Sequence, residues 1–296
     1  MENINGLIII DKPSGFTSHD VVSKVRGILS YRKVGHTGTL DPEATGVLPI
    51  CIGKGTKVSD MLMNSDKEYI AEVKLGIVTD TQDIFGTVTQ KCDDFSVSGE
   101  QLKNAIDNFI GDISQIPPMY SAIKINGQKM YDLARQGIEV ERKPRDITIY
   151  DIELLSFEKD IFKIRVKCSK GTYIRTLCHD IGKFLGCGAC MLSLRRTQSG
   201  MFLEKDAITL NELEQFVKND ELKKVLVPTD RVFEKLPPVS VNDEIKTRLK
   251  NGAQSTLNKD LGTYRVYDKN NEFIAIGEVL VINGRNKISV VKYFGE

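Results

Sequence analysis

The chain has 296 residues, 41% of them hydrophobic and 27% charged, with a formal net charge of +1. This composition is ordinary for a folded domain or two and excludes disordered, collagen-like and disulfide-scaffold classes. No apolar run approaches the roughly 18 residues of a membrane span, so no membrane partner is expected.

The opening MENINGLIIIDKPSG has no basic leader before its short apolar run and so does not read as a signal peptide. Gly6–Asp11 reads instead as a short buried strand. Ser18–Leu29 is expected as a helix, with Val21, Val22, Val25, Ile28 and Leu29 at helical spacing and Thr17 or Ser18 as its cap. In GHTGTLDPEATGVLPI, residues 35–50, glycines, prolines and threonines surround one acid, Asp41. Asp-Pro-Glu-Ala could start a helix, with Gly35, Gly38 and Gly46 supplying turns. The apolar run Val47–Ile52 with Pro49 inside it favours a different reading, a buried strand entered through an unusual turn that holds an acid on a scaffold.

Lys67–Gly76 alternates as a strand and puts Tyr69 on its apolar face. Gln101–Phe109 is expected as a helix begun near Ser98 and ended by Gly111, with a breaker at Gln115–Pro118. A short helix at Tyr131–Gln136, an antiparallel strand pair at Ile147–Phe157 and Ile161–Cys168, and helices at Thr176–Leu185 and Thr209–Lys218 follow. Composition shifts at EKLPP, residues 234–238. Beyond it a helix at Val241–Leu249 and strands at Thr263–Tyr267, Phe273–Leu280 and Lys287–Tyr293 form a small β-rich module. Modules of about 60 residues are marginal alone, so it should pack on the larger domain. The mixture of helices and strands without strict alternation makes the class α+β. The expected division is 1–235 and 236–296.

Six cysteines are scattered without a disulfide pattern, which fits a reducing, cytoplasmic setting. Cys187 and Cys190 form a lone CxxC near the adjacent Cys178 and His179, which cannot readily converge on one ion; no metal is expected. No dinucleotide fingerprint, Walker loop, GxSxG or HExxH occurs. Residues 119–200 carry 15 Lys and Arg against 9 Asp and Glu, a local excess of the sign that phosphate contact needs. In KGTYIRT, Arg175 follows a strand and precedes a helix, where it could pair with a carboxylate.

The stretch GHTGTLDPEATGVLPICIG resembles the catalytic motif of the TruB family of bacterial tRNA pseudouridine synthases. GLIIIDKPSGFTSHDVV, DKEYIAEVKLGIVTDTQDIFG, IPPMYSAIKINGQKMYDLARQGIEV, CSKGTYIRTLCHDIG and LRRTQSG resemble further family segments in order over residues 6–200. The end of the chain resembles the family's PUA-like RNA-binding domain without a sharp motif. The resemblance implies a pseudouridine synthase catalytic domain with a mixed, mainly antiparallel sheet. It implies isomerisation of uridine 55 in the T-loop of tRNA, with no cofactor and no metal, by a monomer. It makes Asp41 the nucleophile, Tyr69 the residue that stacks on the uracil, and Arg175 the partner of the carboxylate. It places Tyr173 and Leu194 along the uracil pocket and gives His36 the task of entering the RNA as the base leaves. An alternative from another class is an RNA-binding or tRNA-folding protein that keeps the fold without the chemistry; the intact Asp41, Tyr69 and Arg175 favour the enzyme.

Overall fold

A computed structural model describes residues 4–121, 123–125, 127–138 and 140–295. In chain order the strands and helices are β1 (Gly6–Lys12), α1 (Ser18–Leu29), β2 (Val34–His36), β3 (Thr45–Ile52), α2 (Ser59–Met63), β4 (Lys67–Leu75), β5 (Ile77–Thr79), β6 (Val88–Lys91), α3 (Gly99–Asp107) and β7 (Gly111–Gln115). Then come β8 (Lys124–Ile125), β9 (Gln128–Lys129), α4 (Met130–Arg135), β10 (Arg145–Glu158), β11 (Ile161–Cys168), α5 (Ile174–Phe184), β12 (Ala189–Ser199), β13 (Phe202–Leu203) and α6 (Leu210–Lys218). The last part holds β14 (Pro238–Ser240), α7 (Asp243–Lys250), β15 (Ser255–Thr256), β16 (Gly262–Tyr267), β17 (Phe273–Ile282) and β18 (Arg285–Tyr293). Ala122, Asn126 and Glu139, inside the IPPMYSAIKINGQKMYDLARQGIEV segment, lie outside the described residues.

Local sequence explains most of these elements. Helix α1 begins where Thr17 accepts from the Asp20 amide and the Asp20 carboxylate returns the bond, a capping box. Ser98 with Gln101 and Thr209 with Glu212 do the same for α3 and α6. Helix α3 therefore starts at Gly99, two residues before the expected start. Gly111 opens β7, a strand the sequence reading did not place. Helix α5 begins at Ile174, so Arg175 lies within its first turn and not ahead of it.

Nine strands form one sheet. Its main path runs β1-β3-β12-β4-β11-β10-β7, with β2 on β3 and β13 on β12. All its pairings are antiparallel except the short β12–β3 contact at Arg195–Thr45 and Arg196–Gly46. Strand β12 is central, and sequence reading saw only its motif LRRTQSG. Two register shifts and a fully buried Arg196 break the alternation that would reveal a strand.

The sheet is covered in two halves. Helices α3 and α5 close a core on β4, β10, β11 and β12, built from residues such as Phe162, Ile164, Leu177 and Ile181. Helices α1 and α6 cover β1 and β3 through Val21, Val25, Leu29 and Leu213. On the opposite face of β1 and β3, Leu7, Ile9, Val47 and Cys51 meet Phe233, Ile276 and Phe294. The last two belong to the C-terminal β-rich domain, which thus packs against the larger one as expected. That domain is a five-stranded sheet, β14-β16-β17-β18-β15, with its own core around Leu249, Val266 and Ile288. No helix among the described residues is long and apolar enough to cross a membrane.

Candidate active site

Asp41 does not start a helix. The segment Gly38–Ala44 is a loop closed by one turn, Ala44 N–H to the Asp41 carbonyl at 3.1 Å, and it runs directly into the buried strand β3. Two buried side chains anchor the loop on either side of the acid. The Leu40 amide donates to Ser18 Oγ at 2.9 Å. The Pro42 carbonyl accepts from Lys12 Nζ at 2.8 Å. Lys12 is fully buried and also donates to the Pro13 and Phe16 carbonyls at 2.8 and 2.5 Å, so its three donors tie the first turn of the chain to the loop. Burial pulls its ammonium down to about 8, against the opposing pull of Glu43 and Asp41. Gly38 and Gly46 do need positive φ, at 140° and 103°, whereas Gly35 does not and simply continues β2. At Gly46 a Cβ would fall 2.2 Å from the Arg196 carbonyl, so the missing side chain is what lets β3 meet β12.

Asp41 and Arg175 come together. Arg175 Nε lies 2.9 Å from Asp41 Oδ2, and Nη2 donates to Oδ1 at 3.1 Å, a two-point grip on the carboxylate. The Arg175 side chain is 6% exposed, while Asp41 keeps 38% of its side chain open. The guanidinium is itself fixed by the carbonyls of Tyr120 at 2.8 Å and Thr81 at 3.0 Å, with Asp83 Oδ2 at 3.7 Å. Sequence reading missed Asp83, although it lies within the quoted TDTQDIFG stretch. Its placement depends on how the β5–β6 hairpin folds back on α5, which short-range pattern does not report.

Tyr69 is buried on β4 directly across from Arg196 of β12, and Leu194 pairs with Ala71 on the same two strands. Burial pushes the Tyr69 phenol up from its usual value, while the charge of Arg196 and a hydrogen bond from it pull the other way. Arg196 donates through Nε to the Val47 carbonyl at 2.7 Å, which links β12, the neighbour of the Tyr69 strand, to the strand that follows Asp41. Tyr173 caps α5, and the Gln115 amide clamps its backbone from both sides at 3.0 and 3.3 Å. Its phenol is raised by burial. His36, at the end of β2, is half-buried with its ring edge-on to His19 at 6.5 Å. Its Nδ1 accepts from the Gly38 amide at 3.3 Å, beside the Asp41 loop, and burial lowers its pKa.

Two charge features differ from the sequence picture. Part of the basic excess of residues 119–200 is neutralised on the sheet by acids of β4, where Lys163 meets Glu72 at 2.9 Å and Arg165 lies 3.9 Å from Glu68. A second cluster joins the two domains. Lys57 donates to the Tyr293 carbonyl at 2.7 Å, and its pKa is lowered by burial and by the charges of Lys33, Lys54 and Lys292.

The mixed sheet that holds the Asp41–Arg175 pair and the buried Tyr69 has the pseudouridine synthase fold, and the chain is similar to solved structures over nearly its whole length. One, an H/ACA ribonucleoprotein bound to a substrate RNA containing 2′-deoxyuridine, matches with a TM-score of 0.72 and 29% identity, over 98% of this chain and 85% of that one. Residues 26–174 match the TruB family pseudouridylate synthase N-terminal domain, and residues 175–234 the tRNA pseudouridylate synthase B C-terminal domain. Among curated relatives, the tRNA pseudouridine synthase B of Clostridioides difficile strain 630 is 48% identical, over 97% of this chain and 98% of its own. That of Francisella philomiragia is 46% identical, over 99% and 96%. The chain belongs to the TruB family.

Proposed function

We propose that this chain isomerises uridine to pseudouridine at position 55 in the T-loop of tRNA, with Asp41 as the nucleophile. The observation that carries this reading is the carboxylate itself: gripped at two points by a buried Arg175, yet with 38% of its side chain open. In the reaction the N1–C1′ bond breaks, the uracil turns, and C5 bonds to C1′. The C5 proton leaves and N1 gains one, so atoms and electrons balance without a cofactor. Such chemistry needs an anion fixed within reach of the sugar–base bond, which a two-point grip and an anchored loop supply.

A uridine inside a folded loop reaches Asp41 only by leaving the stack, at a cost of a few kcal/mol. Stacking on Tyr69 returns about 1–3 kcal/mol. His36, at the mouth of the site, fills the place the base vacates. Tyr173 and Leu194 border the uracil. The T-arm backbone lies along the lysines that join the two domains, and residues 236–296 act as a PUA-like RNA-binding domain beside a catalytic domain of residues 1–235. The protein works as a monomer in the cytoplasm.

The test is tritium release from T-arm RNA carrying [5-³H]uridine at position 55 alone or at every uridine except that one. Release from the first RNA only is the expected outcome. Release from neither, with RNA still bound, would favour the binding protein over the enzyme.

A further inference from the structure

On one edge of β12 two segments sit side by side. The start of β3 pairs at Arg195 and Arg196, immediately after the Asp41 loop. Four residues earlier, Gln82–Ile84 pairs at Met191: the Met191 amide donates to the Gln82 carbonyl at 3.0 Å and the Ile84 amide to the Met191 carbonyl at 2.9 Å. At strand spacing the two segments lie about 13 Å apart along β12. Arg175 bridges them, holding Asp41 on one side and the Thr81 carbonyl on the other, so the β5–β6 loop forms a rim of the site opposite the Asp41 loop.

This loop is rigidly built. Gln82 holds a φ of 64° and accepts from Thr176 of α5 at 3.0 Å. The Thr87 amide donates to Asp80 at 2.8 Å, and a Cβ on Gly86 would strike Thr81 at 2.2 Å. Asp83 divides its two oxygens, one toward Arg175 and the other accepting from the Phe85 amide at 3.1 Å. After all this fixing, Phe85 stands 67% exposed, the highest value among the large hydrophobic residues described, with Ile84 at 37% beside it. An isolated exposed apolar residue is ordinary. An aromatic ring held out by a loop that turns the Thr81 carbonyl and one Asp83 oxygen toward Arg175 is not explained by packing.

We infer that Phe85 is a stacking platform for a nucleobase next to the target uridine, on the rim opposite the Asp41 loop. The inference rests on the reading that RNA is the substrate. An aromatic face accepts any base, so the platform adds grip and register and no sequence choice. Because the Phe85 backbone shares Asp83 with Arg175, a base seated on the ring also presses on the group that orients Asp41.

The experiment uses T-arm RNAs with 2-aminopurine as the 5′ or the 3′ neighbour of the target, bound to the full-length wild type, Phe85→Ala and Phe85→Trp. Quenching at one position by wild type and Phe85→Trp but not by Phe85→Ala is expected, with Kd raised about tenfold in Phe85→Ala, within the range for loss of one stacked base. Equal fluorescence with all three proteins at both positions would overturn the platform. Tritium release by the wild type from the same labelled RNAs reports on the substrate reading separately.

Discussion

Arg175 reaches Asp41 through two nitrogens and backs that contact with the Tyr120 and Thr81 carbonyls, so its planar fork is used on three sides. A lysine could keep the charge but not the fork. Arg175→Lys should lower single-turnover kcat by about 100-fold, the scale of a misplacement near 1 Å, while RNA affinity stays within a few fold. Rapid-quench tritium release and filter binding measure the two. A loss confined to affinity would contradict the orienting role.

Tyr69 carries both a ring face and a hydroxyl beside Arg196. Tyr69→Phe keeps the face and removes the hydroxyl. Binding of T-arm RNA should stay near normal while the rate of C5 proton release falls by more than tenfold, in line with loss of acid–base help. A normal rate would reduce Tyr69 to a stacking surface.

Gly46 combines a φ of 103° with a backbone contact that leaves no room for a Cβ. Gly46→Ala should destabilise the protein by about 2–4 kcal/mol, from strain and from prying β3 off β12. Urea unfolding measures this. Because the displaced strand follows Asp41, turnover should fall in the fraction that remains folded. Unchanged stability would mean that β12 and β3 separate easily.

Lys12 gives opposite pH trends for stability and activity. Its folded-state pKa of about 8 lies below the unfolded 10.5, so between those values the folded chain binds fewer protons. The cost of the buried charge is fully present below pH 8 and is relieved as pH rises, so the wild type should gain about 1–3 kcal/mol over Lys12→Met from pH 8 to 10. A neutral amine has two N–H groups for three carbonyls, so the Pro42 anchor weakens in the same range. Wild-type kcat should therefore decline above pH 8. Parallel stability curves for the two proteins would contradict the buried-charge account.

Much of this architecture was legible in the sequence because it is local. The Thr17–Asp20, Ser98–Gln101 and Thr209–Glu212 boxes mark three helix starts, and alternation marks β4 and β11. The family resemblance identified Asp41 and Arg175, and the fold brings them into contact. What escaped was long-range. Strand β12 hides behind two bulges and a buried arginine that reads as surface. The loop around Asp41 appeared to be held by its glycines. Its main restraints are Lys12 and Ser18, more than 20 residues away, whose side chains read as ordinary turn and helix-start residues. Asp83 and Phe85 gain meaning only once the hairpin folds onto α5.

The most direct measurement is single-turnover tritium release from [5-³H]uridine-55 T-arm RNA by wild type and by Asp41→Asn, each at protein concentrations that saturate binding. Asn keeps the size and a hydrogen-bonding oxygen for Arg175 but removes the charge. Complete release by the wild type and none by Asp41→Asn is expected, with Kd values within a few fold of each other. Release by Asp41→Asn at a rate comparable to the wild type would contradict the central place given to this carboxylate.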